Sequence, residues 1–431
     1  MNSIALYTKS LTARQAYIFD FVFVEVYGCN FQHIDDINTF ANFNGLKINY
    51  SSATLSADLK IIPHGLLFEQ DTQKQQLQIS HWEGLPIFFQ TAGDEIPFDI
   101  FSATFYLIAR YEEYLPYKPD RYQRFPHENS LAFQQQFLHI PLIDLWLQAF
   151  QKLLQNKNKP LDFKKNTFQF IPTYDIDIAY SYLGKGLARN MAASLLNVIR
   201  GEFSQIRKRK RVLQLQEKDP YDSYDFLDDL HNRYRLKPIY FFLVGNNGPL
   251  DKNIAFENEW MQKLFTHISK KYIVGIHPSY QSHNHTKILQ SEIAKIKSKR
   301  SRQHYIRFTL PTTYQNLIDQ GITEDYSMGY GSINGFRAST SFPFKWFNLT
   351  KNEVTALKVF PFCYMECNSF FEQKLTASQA RDEMLHYHQV VQKVNGTFIS
   401  IWHNFSLGSD SLWNGWREMY ADFLHHFSSN K

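Results

Sequence analysis

Two carboxylates, Asp175 and Asp177, stand two residues apart at the end of the run Phe168-Gln169-Phe170-Ile171-Pro172-Thr173-Tyr174. Alternate side chains of an extended backbone share a face, so both acids point to one side. One acid of such a pair can hold a metal ion while the other takes a proton from water. Paired acids at a strand end also serve as caps and turns, so their company decides. Three further strand-like runs have ligand-type or charged residues at their ends. His277 follows Tyr272-Ile273-Val274-Gly275-Ile276, and Arg302 and His304 precede Tyr305-Ile306-Arg307-Phe308. His403 follows Thr397-Phe398-Ile399-Ser400-Ile401-Trp402.

From residue 166 onward the hydrophobic pattern alternates between the two periods. It predicts strands at 168–174, 238–244, 272–276, 305–308, 356–360 and 397–402, and helices at 224–234, 258–270, 287–299, 313–320, 377–394 and 412–427. Thr376 with Gln379 three residues on suits a capping box, and Gly396 suits the end of that helix. Such alternation argues for parallel strands with helical crossovers. In a β/α barrel, chemistry gathers at the carboxyl ends of the strands, where Asp175, Asp177, His277 and His403 fall.

At 431 residues the chain suits two domains rather than one core. Residues 1–165 read as a smaller α/β domain of unknown role, with helices at 100–114, capped by Asp99, and at 141–154, started by Pro141. The segment 120–129 is polar and loop-like, and the Lys- and Asn-rich stretch 152–165 marks the boundary. Residues 166–431 form the barrel domain, interrupted at 183–218 by a basic insertion. There Lys185, Arg189, Arg200 and Arg207-Lys208-Arg209-Lys210-Arg211 interleave with Met191, Leu195, Leu196, Val198 and Ile199. A solvated basic helix and contact with an anionic membrane surface are both open readings of it.

A net charge of +5 is small for this length and gives no sign of a nucleic-acid partner. The three cysteines, Cys29, Cys363 and Cys367, fit free thiols of a reducing compartment. The start of the chain lacks the basic-then-apolar pattern of a secretory leader, and no window is apolar enough to span a bilayer, so a cytoplasmic location is expected.

Taken in order, the runs in 166–427 resemble the polysaccharide deacetylases, the carbohydrate esterase family four (NodB homology) superfamily, in a divergent form with an extra N-terminal domain. Thr173-Tyr174-Asp175-Ile176-Asp177 resembles the family's Thr-Phe-Asp-Asp motif, and 238–245 its second strand. Gly275-Ile276-His277-Pro278-Ser279 resembles the second motif, Arg302-Gln303-His304-Tyr305 the Arg-x-Pro-Tyr motif, and Ile401-Trp402-His403 the final Leu-x-His.

The resemblance implies a distorted β/α barrel and a hydrolase that removes N-acetyl groups from an amino-sugar glycan or lipid-linked glycan precursor. It implies a divalent metal, zinc before others, held by Asp177 and His277. Asp175 would be the base, Arg302 its support, unless Arg307 takes that part, and His403 the acid for the leaving amine. A backbone amide near Tyr305 would stabilise the oxyanion. Three departures stand out: Ile176 separates the two acids, Gln281 sits where the family has a second His, and His304 replaces the motif's Pro. His304, or else His283, is the candidate third ligand. Tyr305, Asp325, Arg337 and Trp402 are expected along the substrate cleft, with an Asp325–Arg337 ion pair as the alternative for those two. A glycan-binding protein on a degenerate barrel, favoured by Gln281, and a hydrolase of another linear amide or ester are the competing functions.

Overall fold

The computed structural model describes residues 3–157, 159 and 161–429. Met1 and Asn2, the start of the segment read for a leader, and Asn158 and Pro160, within the boundary stretch, lie outside the described residues. Among the described residues no helix is long and apolar enough to cross a membrane.

The N-terminal third builds a small parallel sheet. β1 (Ser3–Tyr7), β2 (Asn30–Ile34), β3 (Leu46–Asn49) and β4 (Leu59–Lys60) run in the order β2-β1-β3-β4. Parallel neighbours need crossovers, and α1 (Ala13–Phe19) lies in the first, opened by a Thr12–Gln15 capping box. A hairpin of β5 (Ser80–Trp82) and β6 (Leu85–Ile87) follows. The Asp99 carboxylate accepts from the Ser102 amide and starts α2 (Ile100–Ile108), as expected. That helix stops short of residue 114 because Arg110 turns left-handed, at φ 55°, into a short 3-10 turn. α3 (Leu142–Gln155) starts directly after Pro141.

The rest of the chain builds a nine-stranded sheet. Its members are β7 (Gln169–Ile176), β8 (Ile239–Leu243), β9 (Ile273–His277), β10 (Arg300–Ser301), β11 (Glu324–Asp325), β12 (Phe344–Asn348), β13 (Glu353–Val359), β14 (Tyr364–Met365) and β15 (Thr397–His403). The order is β12-β13-β11-β10-β9-β8-β7-β15-β14, with every pair parallel except β12 with β13. The two ends of the parallel series belong to one stretch of chain. β13 pairs with β11, the backbone runs on past Phe360, whose amide bonds the Asp325 carbonyl, and four residues later β14 pairs with β15.

Two further helices, α4 (Leu187–Ile199) and α5 (Phe203–Leu213), occupy the basic insertion. The crossovers then bring α6 (Tyr224–Tyr234), α7 (Glu259–Ser269), α8 (Thr286–Ile296), α9 (Thr312–Asp319) and α10 (Ala377–Lys393), and α11 (Trp416–Ser429) follows the last strand. The capping box at Thr376 is formed. The helix expected from 412 begins at Trp416, after a 3-10 turn at Ser411–Trp413.

One predicted strand is absent. Residues 305–308 form no strand; Tyr305 and Ile306 adopt φ of 57° and 53° within a tight turn, and the strand is Arg300–Ser301 just before it. Ile306 and Phe308 are apolar because they plug the core, not because they alternate on a ladder. Arg302 and His304 therefore follow a strand instead of preceding one, and join the other candidates at the carboxyl edge.

The two halves share one continuous apolar core. Buried charge also crosses between them: Glu113 accepts from Arg337 at 2.6 and 2.8 Å and from Arg110 at 2.7 Å. Asp144 of α3 accepts from Thr340 and from the amide and hydroxyl of Ser341.

Candidate metal centre and cleft

Strand register assembles the site. Asp175 lies directly across the β7–β15 ladder from His403 and across β7–β8 from Phe241, while His277 ends β9 opposite Leu243. Gly275 keeps room for the Phe241 ring, whose atoms would come within 2.5 Å of a Cβ there. The Arg302 guanidinium sits 4.4 Å over the centre of that ring and donates to Asp175 at 2.8 Å. Arg302 thus holds the Asp175 carboxylate. Arg307 does not, since it stacks on Tyr280 and bonds the Tyr280 carbonyl.

Three side chains converge on one point. Asp177 Oδ1 lies 3.2 Å from His277 Nε2, and Asp177 Oδ2 lies 3.4 Å from His304 Nε2. The ligand atoms of all three residues fall within 4.8 Å of one another. The outer nitrogens are committed elsewhere. His277 Nδ1 is 2.6 Å from the Arg302 carbonyl, which can only accept, so Nδ1 carries the proton. The other ring nitrogen, His277 Nε2, points at Asp177 Oδ1, a buried oxygen with no hydrogen bond of its own. A cation between them would be held by both. His304 Nδ1 bonds Asp251 at 2.8 Å, the carboxylate–histidine arrangement that orients metal ligands. The donor set of one carboxylate and two imidazoles suits a zinc-type ion with a position left open for water.

Burial raises the Asp177 carboxyl, but His304 and His403 more than offset this and hold it well below the usual range. Burial lowers His304, yet Asp177 and Asp251 push it up to about 9. His403 is likewise raised despite its burial, by Cys367, Glu366 and Asp177.

His403 stands on the far side of the centre, its Nε2 3.5 Å from Asp177 and its Nδ1 2.9 Å from the buried Glu366. Glu366 also accepts from the His403 amide and the Ser406 hydroxyl. Cys367 Sγ lies 3.4 Å from the same Nδ1. Base and acid candidates therefore flank the three ligands, each fixed by its own partner.

A cleft of about 610 Å³ opens over these residues. Tyr305 lines it and packs against Tyr122, with ring centroids 4.9 Å apart. Arg121 and Arg124, from the N-terminal half, form part of its wall, and Arg124 donates to the Tyr305 carbonyl at 2.8 Å.

Three expected cleft residues are elsewhere. Asp325 is fully buried and accepts from Ser301, Tyr314 and Ser327. Arg337 pairs with Glu113, so the alternative Asp325–Arg337 pair does not form either. Trp402 is buried against Tyr420 and Trp416, on the opposite face of β15 from His403. His283, the alternative third ligand, lies between Thr309 and Thr313, 3.3–3.4 Å from their hydroxyls, and burial pushes its imidazole down to about 4.

The sequence reading missed Asp251, Glu366, Cys367 and the Arg121–Arg124 wall. Asp251 sits in an irregular loop beyond β8, and Glu366 and Cys367 follow a strand of only two residues. Position past a strand end was the available signal.

A family of unknown function (DUF7033) matches residues 4–159. No curated protein matches the sequence. Among solved structures the chain is similar to a "putative polysaccharide deacetylase from Mycobacterium smegmatis", at 10% identity and a TM-score of 0.40, over 62% of this chain and 85% of that one. A likeness at that level says nothing about chemistry, which rests on the side chains above.

Proposed function

We propose that the protein is a metal-dependent hydrolase that removes N-acetyl groups from an amino-sugar glycan or glycan precursor. Its scaffold, in this reading, is a β/α barrel distorted where one stretch of chain serves both ends of the sheet. The observation that carries the reading is the convergence of Asp177, His277 and His304 on one point, with the buried Asp177 Oδ1 left without a hydrogen bond.

Asp177, His277 and His304 would hold the ion. A divalent ion there supplies polarisation of the acyl oxygen and acidifies water. Asp175, fixed by Arg302, accepts the proton of the attacking water. His403, its Nδ1 on Glu366, delivers a proton to the departing amine. A backbone amide near Tyr305 donates to the developing oxyanion. Tyr122 and Tyr305 line the cleft with aromatic rings, beside Arg121 and Arg124, which are paired with Glu372 and Asp120. His304 would supply the ligand that Gln281 does not, which favours the hydrolase over a glycan-binding protein on a degenerate barrel.

Acetate release from a panel of N-acetylated oligosaccharides, with and without added zinc, tests the reading. Zinc-dependent release abolished by a chelator supports it. Activity on small amides or esters with none on amino sugars would replace it with the broader hydrolase.

A further inference from the structure

In the α4–α5 hairpin, α5 buries Val212 in the core, but α4 is amphipathic in the reverse sense. The side of α4 turned toward the protein is polar: Asn190 is buried and bonds the Tyr182 and Gly186 carbonyls, and the Ser194 hydroxyl accepts from Arg209 at 2.7 Å. The opposite side carries Leu187, Met191, Leu195, Leu196, Val198 and Ile199 at helical spacing, all exposed, with Leu187 and Ile199 about three-quarters so. A surface helix of a globular protein ordinarily shows the reverse. Phe203, at the start of α5, extends the exposed apolar face.

Charge surrounds this face. Residues 185–211 contain eight Lys and Arg against the single acid Glu202. That local excess is larger than the +5 of the whole chain, so the remainder is net negative. Arg209 turns inward over the Tyr182 ring, whereas Arg189, Arg200, Arg207 and Lys210 stay exposed. At 13 residues, α4 is too short to span a bilayer but suited to lie in its interface.

We infer that the α4–α5 hairpin docks on an anionic lipid surface, the apolar side of α4 entering the interfacial layer and the surrounding cations meeting lipid phosphates. Exposed apolar side chains interleaved with uncompensated cations fit that surface better than a second copy of the chain, which would oppose cation to cation. α5 is tied to the loop after β15 through Lys208, which donates to the Ser409 carbonyl, and the chain just beyond the hairpin is tied to it through the Ser409 amide, which donates to the Pro220 carbonyl. That loop carries Phe405, which lines the cleft, so docking brings the cleft to the lipid surface. The inference rests on the hairpin alone and stands apart from the deacetylase reading.

Co-sedimentation of the full chain with vesicles tests it, comparing phosphatidylcholine alone with phosphatidylcholine mixed with phosphatidylglycerol. Binding at least about tenfold tighter to the mixed vesicles, weakening as salt rises, is expected. Leu195→Asp and Ile199→Asp should each weaken it about tenfold, and Arg200→Glu with Arg207→Glu should remove the preference for anionic lipid. These side chains are exposed, so circular dichroism should stay unchanged; Met191→Asp is the substitute for any variant that misfolds. Absence of vesicle binding by the parent chain overturns the inference. So does binding indifferent to every substitution, or a dimer in sedimentation that Ile199→Asp dissolves without any vesicle binding.

Discussion

Asp175 and Asp177 share a motif but differ in what surrounds them. Arg302 holds Asp175 by a charge-assisted bond, whereas Asp177 faces three imidazole nitrogens. Asp175→Asn should therefore keep its metal and lose roughly 10²–10⁴-fold in turnover, the scale of a lost general base. Single-turnover acetate release beside metal content separates the two effects, and near-parental turnover would remove Asp175 from that role. Asp251 touches the centre through His304, so Asp251→Asn should weaken metal affinity about 10–100-fold while leaving the ligands in place. A competition titration with a chromogenic chelator reads that directly, and unchanged affinity would mean that Asp251 does not orient the ligand. Asp175, Asp177, His277 and His403 were legible because strand ends and residue type point to them locally, whereas Arg302 and His304 were found through the motif resemblance, the strand expected after them being absent. Arg337 was not, because its partner Glu113 lies 224 residues away and nothing beside it announces the pair.

Strand period explains both a success and a failure among the elements. Alternation puts Asp175 and His403 on the cleft face of adjacent strands, and the same rule sends Trp402 to the helix-covered face with Tyr420. Proximity to the motif outweighed the alternation in placing Trp402 in the cleft. The turn at Tyr305 was hidden for another reason: four residues of mixed character carry too little period to separate a strand from a turn. α3 offers a pH test. Asp144, in its first turn, is pushed up to about 7 by burial, with the Ser341 and Thr340 donors offsetting only part. A folded value above the unfolded one near 3.9 favours the native state fully at low pH and loses that contribution as pH rises through about 7. Between pH 5 and 8 the parent should lose roughly 2 kcal/mol relative to Asp144→Asn. Urea unfolding of both chains at the two pH values checks this, and parallel behaviour would contradict it.

The whole molecule binds its halves together more closely than a two-domain reading of the sequence implied. The apolar core runs across residue 165, and Glu113 is buried between Arg110 and Arg337. Removing one member of such a group strands the others, so Glu113→Ala should destabilise the chain by about 3–5 kcal/mol. Chemical denaturation followed by tryptophan fluorescence would register it, and a loss below about 1 kcal/mol would mean that water reaches the site. The N-terminal half also walls the cleft through Arg121 and Arg124, which gives it a part in the site. The claim on which the functional account depends is that Asp177, His277 and His304 hold a metal ion. Elemental analysis of the full chain after dialysis against zinc tests it most directly. The account predicts one zinc per chain, and none in the His277→Ala, His304→Ala double variant with its circular dichroism unchanged. A parent chain without zinc, or equal zinc in parent and variant, would contradict it.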